Sequence, residues 1–318
     1  MKLKSLISPL SVTCSALLIA GTNSCIKAPL DEPLIATGKV RDTNSQPAAQ
    51  LFNVAKSYEN QGDIKKALKA YQKVADQYPL SEQAPAARYQ EASILYANGQ
   101  LIDSFKTYQK FIDSNKSSPL YSSAIQKQSE VAFATANGDI KHNFMGLKSK
   151  FTGATVVKML TQVRDNAPYS QNAMKAQYLI GSVWEDREEV DRAIEGYQEV
   201  QKRYPNSNLT PEALYKTGTI LVAQSNENNR NKANLDNAKN VFLDLIQQFP
   251  KHPRAKDAKA QLAKLRSNDV QRSFNIAEFY LAKEQKASAA FYYREVMTLS
   301  PSGSLHEKAK KRLAEIGQ

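Results

Sequence analysis

Cysteine is scarce in this chain of 318 residues: only Cys14 and Cys25 occur, too few for a disulfide framework. Histidine is scarcer in useful spacing. His142, His252 and His306 lie far apart and from both thiols, so no pair has the separation of zinc ligands, and no metal or cofactor is expected. With 12 glycines and 13 prolines in the whole length, an array of sheets joined by many tight turns is also excluded. Catalytic signatures are missing too. The segment GLKSKFTG (146–153) lacks the Gly-Lys-Ser/Thr ending of a phosphate loop, and there is no G-x-S-x-G or H-E-x-x-H. The run Glu185, Asp186, Glu188, Glu189, Asp191 sits where a turn between helices is expected and reads as solvated charge. The chain is therefore not expected to be an enzyme. Its net charge of +12 comes from 43 basic residues interleaved with 31 acidic ones, the pattern of coated helix faces rather than of a nucleic-acid stripe.

What is present begins at the N-terminus. MKLKSLISPLSVTCSALLIAGTNSC opens with Lys2 and Lys4, continues into a short apolar run at Ala16 to Ala20, and ends in small residues before Cys25. That run is too short to span a bilayer, which needs ~20 apolar residues, and has the layout of a bacterial export signal over 1–24. Its removal would take both lysines and leave a charge of +10. Residues 25–47 carry Pro29, Pro33 and Pro47 and no helical period, so they read as an extended tether.

From residue 48 onward one skeleton recurs. Ala67, Tyr71 and Pro79 are followed by Ala193, Tyr197 and Pro205, by Ala238, Phe242 and Pro250, and by Ala289, Tyr293 and Pro301, the aromatic always four residues after the alanine and the proline eight after that. The alanine lets two helices approach, the aromatic one turn later fills the space beside it, and the proline ends the helix. Leu51, Val54, Ala55 and Tyr58 form the helix before the first skeleton, and Gly62 marks the turn. The unit of 34 residues resembles the tetratricopeptide repeat. The fourth unit, with Gln177, Ile180, Gly181 and Trp184 ahead of its skeleton, is the cleanest. Unit two has Ser104 where alanine is expected; unit three is distended by NGDIKHNFMGLKSKFTGA; unit five by SNENNRNKAN. A separate helix at about 254–267 is expected before unit six, and LHEKAKKRLAEI closes the array. The expectation is an all-α tetratricopeptide-repeat superhelix of about five to six helix pairs, with N-terminal repeats over 48–168, C-terminal repeats over 169–303 and a cap over 304–318.

In such an array the first helix of each pair lines a groove. Its solvent-side positions are Phe52, Lys56 and Glu59 in unit one, Tyr89, Ser93 and Tyr96 in unit two, and Lys175, Tyr178 and Ser182 in unit four. Aromatics beside Lys56 and Arg88 suit an extended peptide that ends in an aromatic residue and a carboxylate. Packing of these same tyrosines within the array is the alternative.

Two resemblances add to this. Cys25 resembles the cleavage-site cysteine of bacterial lipoproteins, whose thiol is acylated; Thr22-Asn23-Ser24 stands in place of that motif's usual residues and equally suits ordinary signal cleavage. The stretches NSNLTPEALYKTGTILVAQ, LDNAKNVFLDLIQQFPKHPRAKDAKAQLAKLRS and FNIAEFYLAKEQKASAAFYYREVMTLSP, in this order, resemble the BamD family of outer-membrane assembly lipoproteins. This resemblance implies a scaffold anchored at the periplasmic face of the outer membrane. It would bind the barrel-forming subunit through its C-terminal repeats and incoming barrel precursors through its N-terminal ones. A soluble periplasmic repeat protein similar to the partner of the Tol–Pal system is the alternative, on linkers such as YPNSNLTPEA. A third reading is a peptidoglycan- or anion-binding protein using the positive charge.

Overall fold

The computed structural model describes residues 45–138, 142–144, 147–149, 151–227 and 232–317. The expected export signal, Cys25 and the tether up to residue 44 lie outside them. Thirteen helices occur among the described residues, and twelve of them form six antiparallel pairs. These are α1 (Ser45–Asn60) with α2 (Ile64–Gln77), α3 (Ala84–Ala97) with α4 (Leu101–Ser114), and α5 (Tyr121–Asn137) with α6 (Gly153–Asn166). They continue with α7 (Gln171–Glu185) and α8 (Val190–Arg203), α9 (Thr210–Glu227) and α10 (Lys232–Gln248), and α11 (Pro253–Ala282) and α12 (Lys286–Leu299). The last helix, α13 (Ser304–Glu315), caps α12. Each helix packs on the next, as a tetratricopeptide solenoid requires. No described helix is long and apolar enough to cross a membrane.

The repeated skeleton occupies the places its spacing predicts. Ala67, Ala193, Ala238 and Ala289 are buried, as are Tyr71, Tyr197, Phe242 and Tyr293. Tyr78 and Tyr204, each followed by proline, leave the helical region at φ −127° and −132° and end α2 and α8. Ser104 replaces alanine without cost because its Oγ donates to the carbonyl of Ala92 at 2.8 Å, so the buried hydroxyl is satisfied. In repeat four the two helices touch backbone to backbone: a Cβ at Gly196 would stand 2.7 Å from the Gly181 Cα. In repeat five, Gly218 leaves room for the Phe242 ring, which a Cβ there would meet at 2.5 Å.

Four of the turns within pairs use a left-handed residue two places before the second helix. Gly62 (φ 76°) and Gly99 (φ 74°) supply it in the first two repeats, but Glu188 (φ 61°) and Glu284 (φ 59°) do so in the fourth and sixth. For a residue with a Cβ this conformation costs roughly 1–2 kcal/mol.

Three features depart from the sequence expectation. The insertion in repeat three forms an antiparallel hairpin, β1 (His142–Phe144) on β2 (Leu147–Ser149), a small addition to an otherwise helical unit. The described residues of the polar insertion of repeat five, 225–227 and 232–234, belong to helices, and α9 and α10 run to 18 and 17 residues. The separate helix expected at 254–267 does not exist as such: it runs on into repeat six as the 30-residue α11. Pro253 starts α11, with His252 as N-cap, and neither glycine nor proline follows before Ala282. Its buried residues are Ala255, Ala258 and Leu265, then Val270, Ser273 and Ala277. Five residues separate Leu265 from Val270 where three or four would keep one face, so the buried stripe steps around an unbroken helix. The first stripe completes the core of repeat five with Phe242 and Leu245; the second completes that of repeat six with Tyr293 and Val296.

Candidate functional site

The first helices of repeats one, two and four carry the residues expected to line a groove, and their rings turn toward their own second helices. Phe52 meets Tyr71 edge-on at 5.5 Å between centroids, Tyr89 meets Tyr108 at 5.6 Å, and Tyr178 meets Tyr197 at 5.3 Å. Repeats five and six repeat the pair as Tyr215 with Phe242 (6.0 Å) and Phe274 with Tyr293 (5.8 Å). Such a pair contributes about 0.5–1.5 kcal/mol beyond the area it buries. Phe52, Tyr89 and Tyr178 are half-buried, so each ring serves packing with one side and leaves the other at the surface. The signal was in the sequence: in four of the five pairs the partner aromatic stands nineteen residues before the skeleton aromatic.

The phenols of the skeleton are held by polar groups on the same face. Tyr71 donates to Glu59 at 2.6 Å, Tyr197 to Glu185 at 2.5 Å and Tyr293 to Glu278 at 2.5 Å, while Tyr108 shares a 2.8 Å bond with Ser93. Burial first, and then the carboxylate, holds the pKa of Tyr71, Tyr197 and Tyr293 well above the ordinary phenol range, so they remain neutral donors. Burial pushes Tyr108 up to about 12. Glu185 is therefore not loose solvated charge as its acidic run suggested: it also takes Lys216 of the next repeat at 2.8 Å. Glu278 likewise takes Arg312 of α13.

The cations of the expected groove separate into two kinds. Lys56 is exposed, with its Nζ 5.0 Å from the Phe52 ring centroid. Lys175 reaches the Phe133 ring of the preceding repeat at 4.5 Å. Arg88 is different. Its side chain is 11% exposed, and its guanidinium is held between Asp76 and Glu91, the latter at 2.7 Å. It locks α3 to α2 and is not a vacant receptor for a carboxylate. Tyr96, half-buried, packs on the core shared by repeats two to four.

A second surface lies in repeat six and was not singled out by the sequence. Phe279 and Phe291 are 58% and 62% exposed. They flank Tyr280 and Tyr292, which stack at 5.6 Å with 9° between planes. Phe279 meets Tyr280 and Phe291 meets Tyr292 edge-on, so four rings form a continuous chain across α11 and α12. Phe279 also borders an open cleft of about 600 Å³ between α10 and α11, whose wall includes Leu235, Lys239, Arg272 and Asn275. The pattern F-Y at 279–280 and again at 291–292 was its legible mark. Among the described residues no cluster of His, Cys, Asp or Glu could hold a metal ion.

Residues 146–316 match the YfiO family, described as an outer membrane lipoprotein, the family to which the resemblance to BamD pointed. The chain belongs to this family. Residues 51–81 match a tetratricopeptide repeat, the first helix pair of the array. The YfiO match thus covers the distended half of repeat three and everything C-terminal to it, including the four-ring chain. No curated protein matches the chain. Similar solved structures include MamA of Desulfovibrio magneticus RS-1, 15% identical, covering 65% of this chain and 98% of that one with a TM-score of 0.31. The C-terminal part of a TPR repeat-containing protein of Cytophaga hutchinsonii is 15% identical over 84% of this chain and 87% of its own (TM-score 0.34). YrrB, a TPR protein with an unusual peptide-binding site, is 16% identical over 77% and 100% (TM-score 0.31).

Proposed function

We propose that the chain is a non-enzymatic scaffold of the machinery that assembles β-barrels in the outer membrane, held at its periplasmic face by a lipid on Cys25. The family match over 146–316 is the observation that carries this reading. The geometry supports it with surface suited to protein partners and not to chemistry. The chain of Phe279, Tyr280, Tyr292 and Phe291 offers exposed aromatic anchors of the kind that dominate protein interfaces, and it docks the barrel-forming subunit. The first helices of the N-terminal repeats receive precursor segments, with Phe52, Lys56, Tyr89 and Tyr96 as contacts and Tyr178 continuing the row in repeat four. Arg88 supports that face from within. Nucleic acid plays no part.

Copurification from detergent-solubilised membranes tests the proposal. Wild type is expected to recover the barrel-forming subunit, and Phe279→Ser/Phe291→Ser to lose it while keeping full helicity. Recovery of no assembly subunit by wild type overturns the function; unchanged recovery by the double variant overturns the docking surface. Intact mass of the membrane fraction, compared with Cys25→Ser, tests the anchor: an acylated chain starting at Cys25 is expected, absent in the variant.

A further inference from the structure

The second helices of the six repeats present equivalent positions, counted from their buried aromatic. Two residues before and two after it, repeat one carries Lys69 and Lys73 and repeat two carries Lys106 and Lys110. At the same places repeats four, five and six carry Glu195 and Glu199, Asn240 and Asp244, Phe291 and Glu295. In repeat three, where Leu160 holds the place of the aromatic, they are Lys158 and Gln162, so the face carries two lysines in each of the first two repeats, one in the third, and none in the last three.

On α2 the face is extended by Lys65, so that Lys65, Lys69 and Lys73 stand four residues apart on one exposed row about 12 Å long. None of the three has an ion-pair partner among the described residues. The neighbouring carboxylates are already taken: Asp63 by Lys66, and Asp76 by Arg88. On α4, Lys106 and Lys110 are also exposed and without an ion-pair partner among the described residues, with Asp103 and Asp113 on the same helix. Elsewhere in the array many cations are paired, as with Lys202 and Arg203 on Glu199, Lys216 on Glu185, Lys239 on Asp269 and Arg254 on Glu212. A row of unneutralised lysines on flat helix surface, without a cavity or an aromatic platform, is matched to an extended anionic plane rather than to a discrete ligand.

We infer that the lysine face of α2 and α4 lies against an anionic phospholipid surface. The position of the face in the chain favours lipid as the occupant. From Cys25 to the start of α1 at Ser45 the chain reaches at most about 70 Å, and the first two repeats are the part of the solenoid closest in sequence to an N-terminal anchor. The inference rests on the lipoprotein reading for which membrane is met, but lipid binding by the face itself is measurable without the anchor.

The test is sedimentation of the full chain carrying Cys25→Ser with vesicles of phosphatidylcholine containing 30% phosphatidylglycerol, and with phosphatidylcholine alone. Lys65→Gln/Lys69→Gln/Lys73→Gln is expected to weaken binding to the anionic vesicles about a hundredfold at low salt, at about 1 kcal/mol per lysine. Lys308→Gln/Lys310→Gln/Lys311→Gln, which removes the same charge from α13, is expected to change it less than twofold. Salt at 0.5 M abolishes the difference. Equal losses in the two triple variants would show that net charge and not this face binds lipid; binding to neutral vesicles as tight as to anionic ones, or no loss in the α2 variant, likewise overturns the inference. Circular dichroism of both variants checks that the helices are intact. Failure here leaves the copurification of assembly subunits untouched, so the two readings fail separately.

Discussion

Repeats two to four and repeats five to six solve the same problem, joining one helix pair to the next, in opposite ways. In the first group the joint is made of side chains. A single core runs from Ala92 and Phe105 through Val131 and Leu160 to Ile180. Beside it the amides of Gln109, Gln128 and Asn166 close a triangle, with Gln128 donating to Gln109 at 2.6 Å and Asn166 donating to Gln109 at 2.8 Å and to Gln128 at 2.7 Å. Arg164 then donates to Gln177 at 2.8 Å, and Gln177 to the carbonyl of Gly196 at 3.0 Å. In the second group the cores are separate, and the joint is the backbone of α11 itself. Side-chain joints are specific but divisible; a continuous helix is indifferent to sequence at its middle yet cannot bend without breaking hydrogen bonds.

Breaking the helix should therefore have the largest effect. Asn268 is exposed at the point where the buried stripe changes face. Asn268→Pro is expected to cost about 3 kcal/mol or more and to split thermal unfolding into two transitions, with repeat six and α13 melting first. A single transition in calorimetry would mean that α11 is not the joint. Next is the amide triangle. Gln128→Leu removes one partner each from Gln109 and Asn166, which keep only their bond to one another in the triangle, and is expected to destabilise by roughly 1–3 kcal/mol in urea titration, without dividing the transition. A smaller loss, about 1 kcal/mol, is expected for Tyr197→Phe, which frees Glu185 while leaving its pair with Lys216. The smallest effect has the opposite sign. Glu284→Gly relieves a left-handed backbone at the α11–α12 turn and should raise stability by about 0.5 kcal/mol, since relief of strain is partly offset by the freer unfolded chain. An unchanged or lower melting temperature would contradict it.

The pairs themselves were legible because alanine, aromatic and proline act within one or two turns of their own positions, and each repeat states the rule again. Ser104 broke the rule in letter only, since its hydroxyl returns a hydrogen bond to the neighbouring helix. The joints were less legible. Gln109 and Asn166 are 57 residues apart, and nothing local marks them as partners. The step from Leu265 to Val270 imitates a helix end, because a hydrophobic pattern records which face is buried and not whether the chain continues. The groove residues show a third kind of difficulty. Tyr89 and Tyr178 stand on the expected helices, but a spacing that marks a surface position does not tell that its ring also packs on the second helix, and Arg88 is spent on Asp76 and Glu91. Phe279 and Phe291 escaped notice because an exposed aromatic does not disturb the repeat pattern that the buried ones create.

The unbroken α11 also has a mechanical meaning. At 30 residues it is a rod about 45 Å long, seated in the core of repeat five along one half and of repeat six along the other. Its two seats are turned from each other by roughly a quarter of a turn around the rod, so the rod ties the orientation of repeat six to that of repeat five. Phe279 stands at the opposite end of this rod from the part bedded against Phe242 and Leu245, and the cleft beside Lys239 and Arg272 lies along it. The exposed Phe279 is thus oriented by the core of repeat five as well as by that of repeat six.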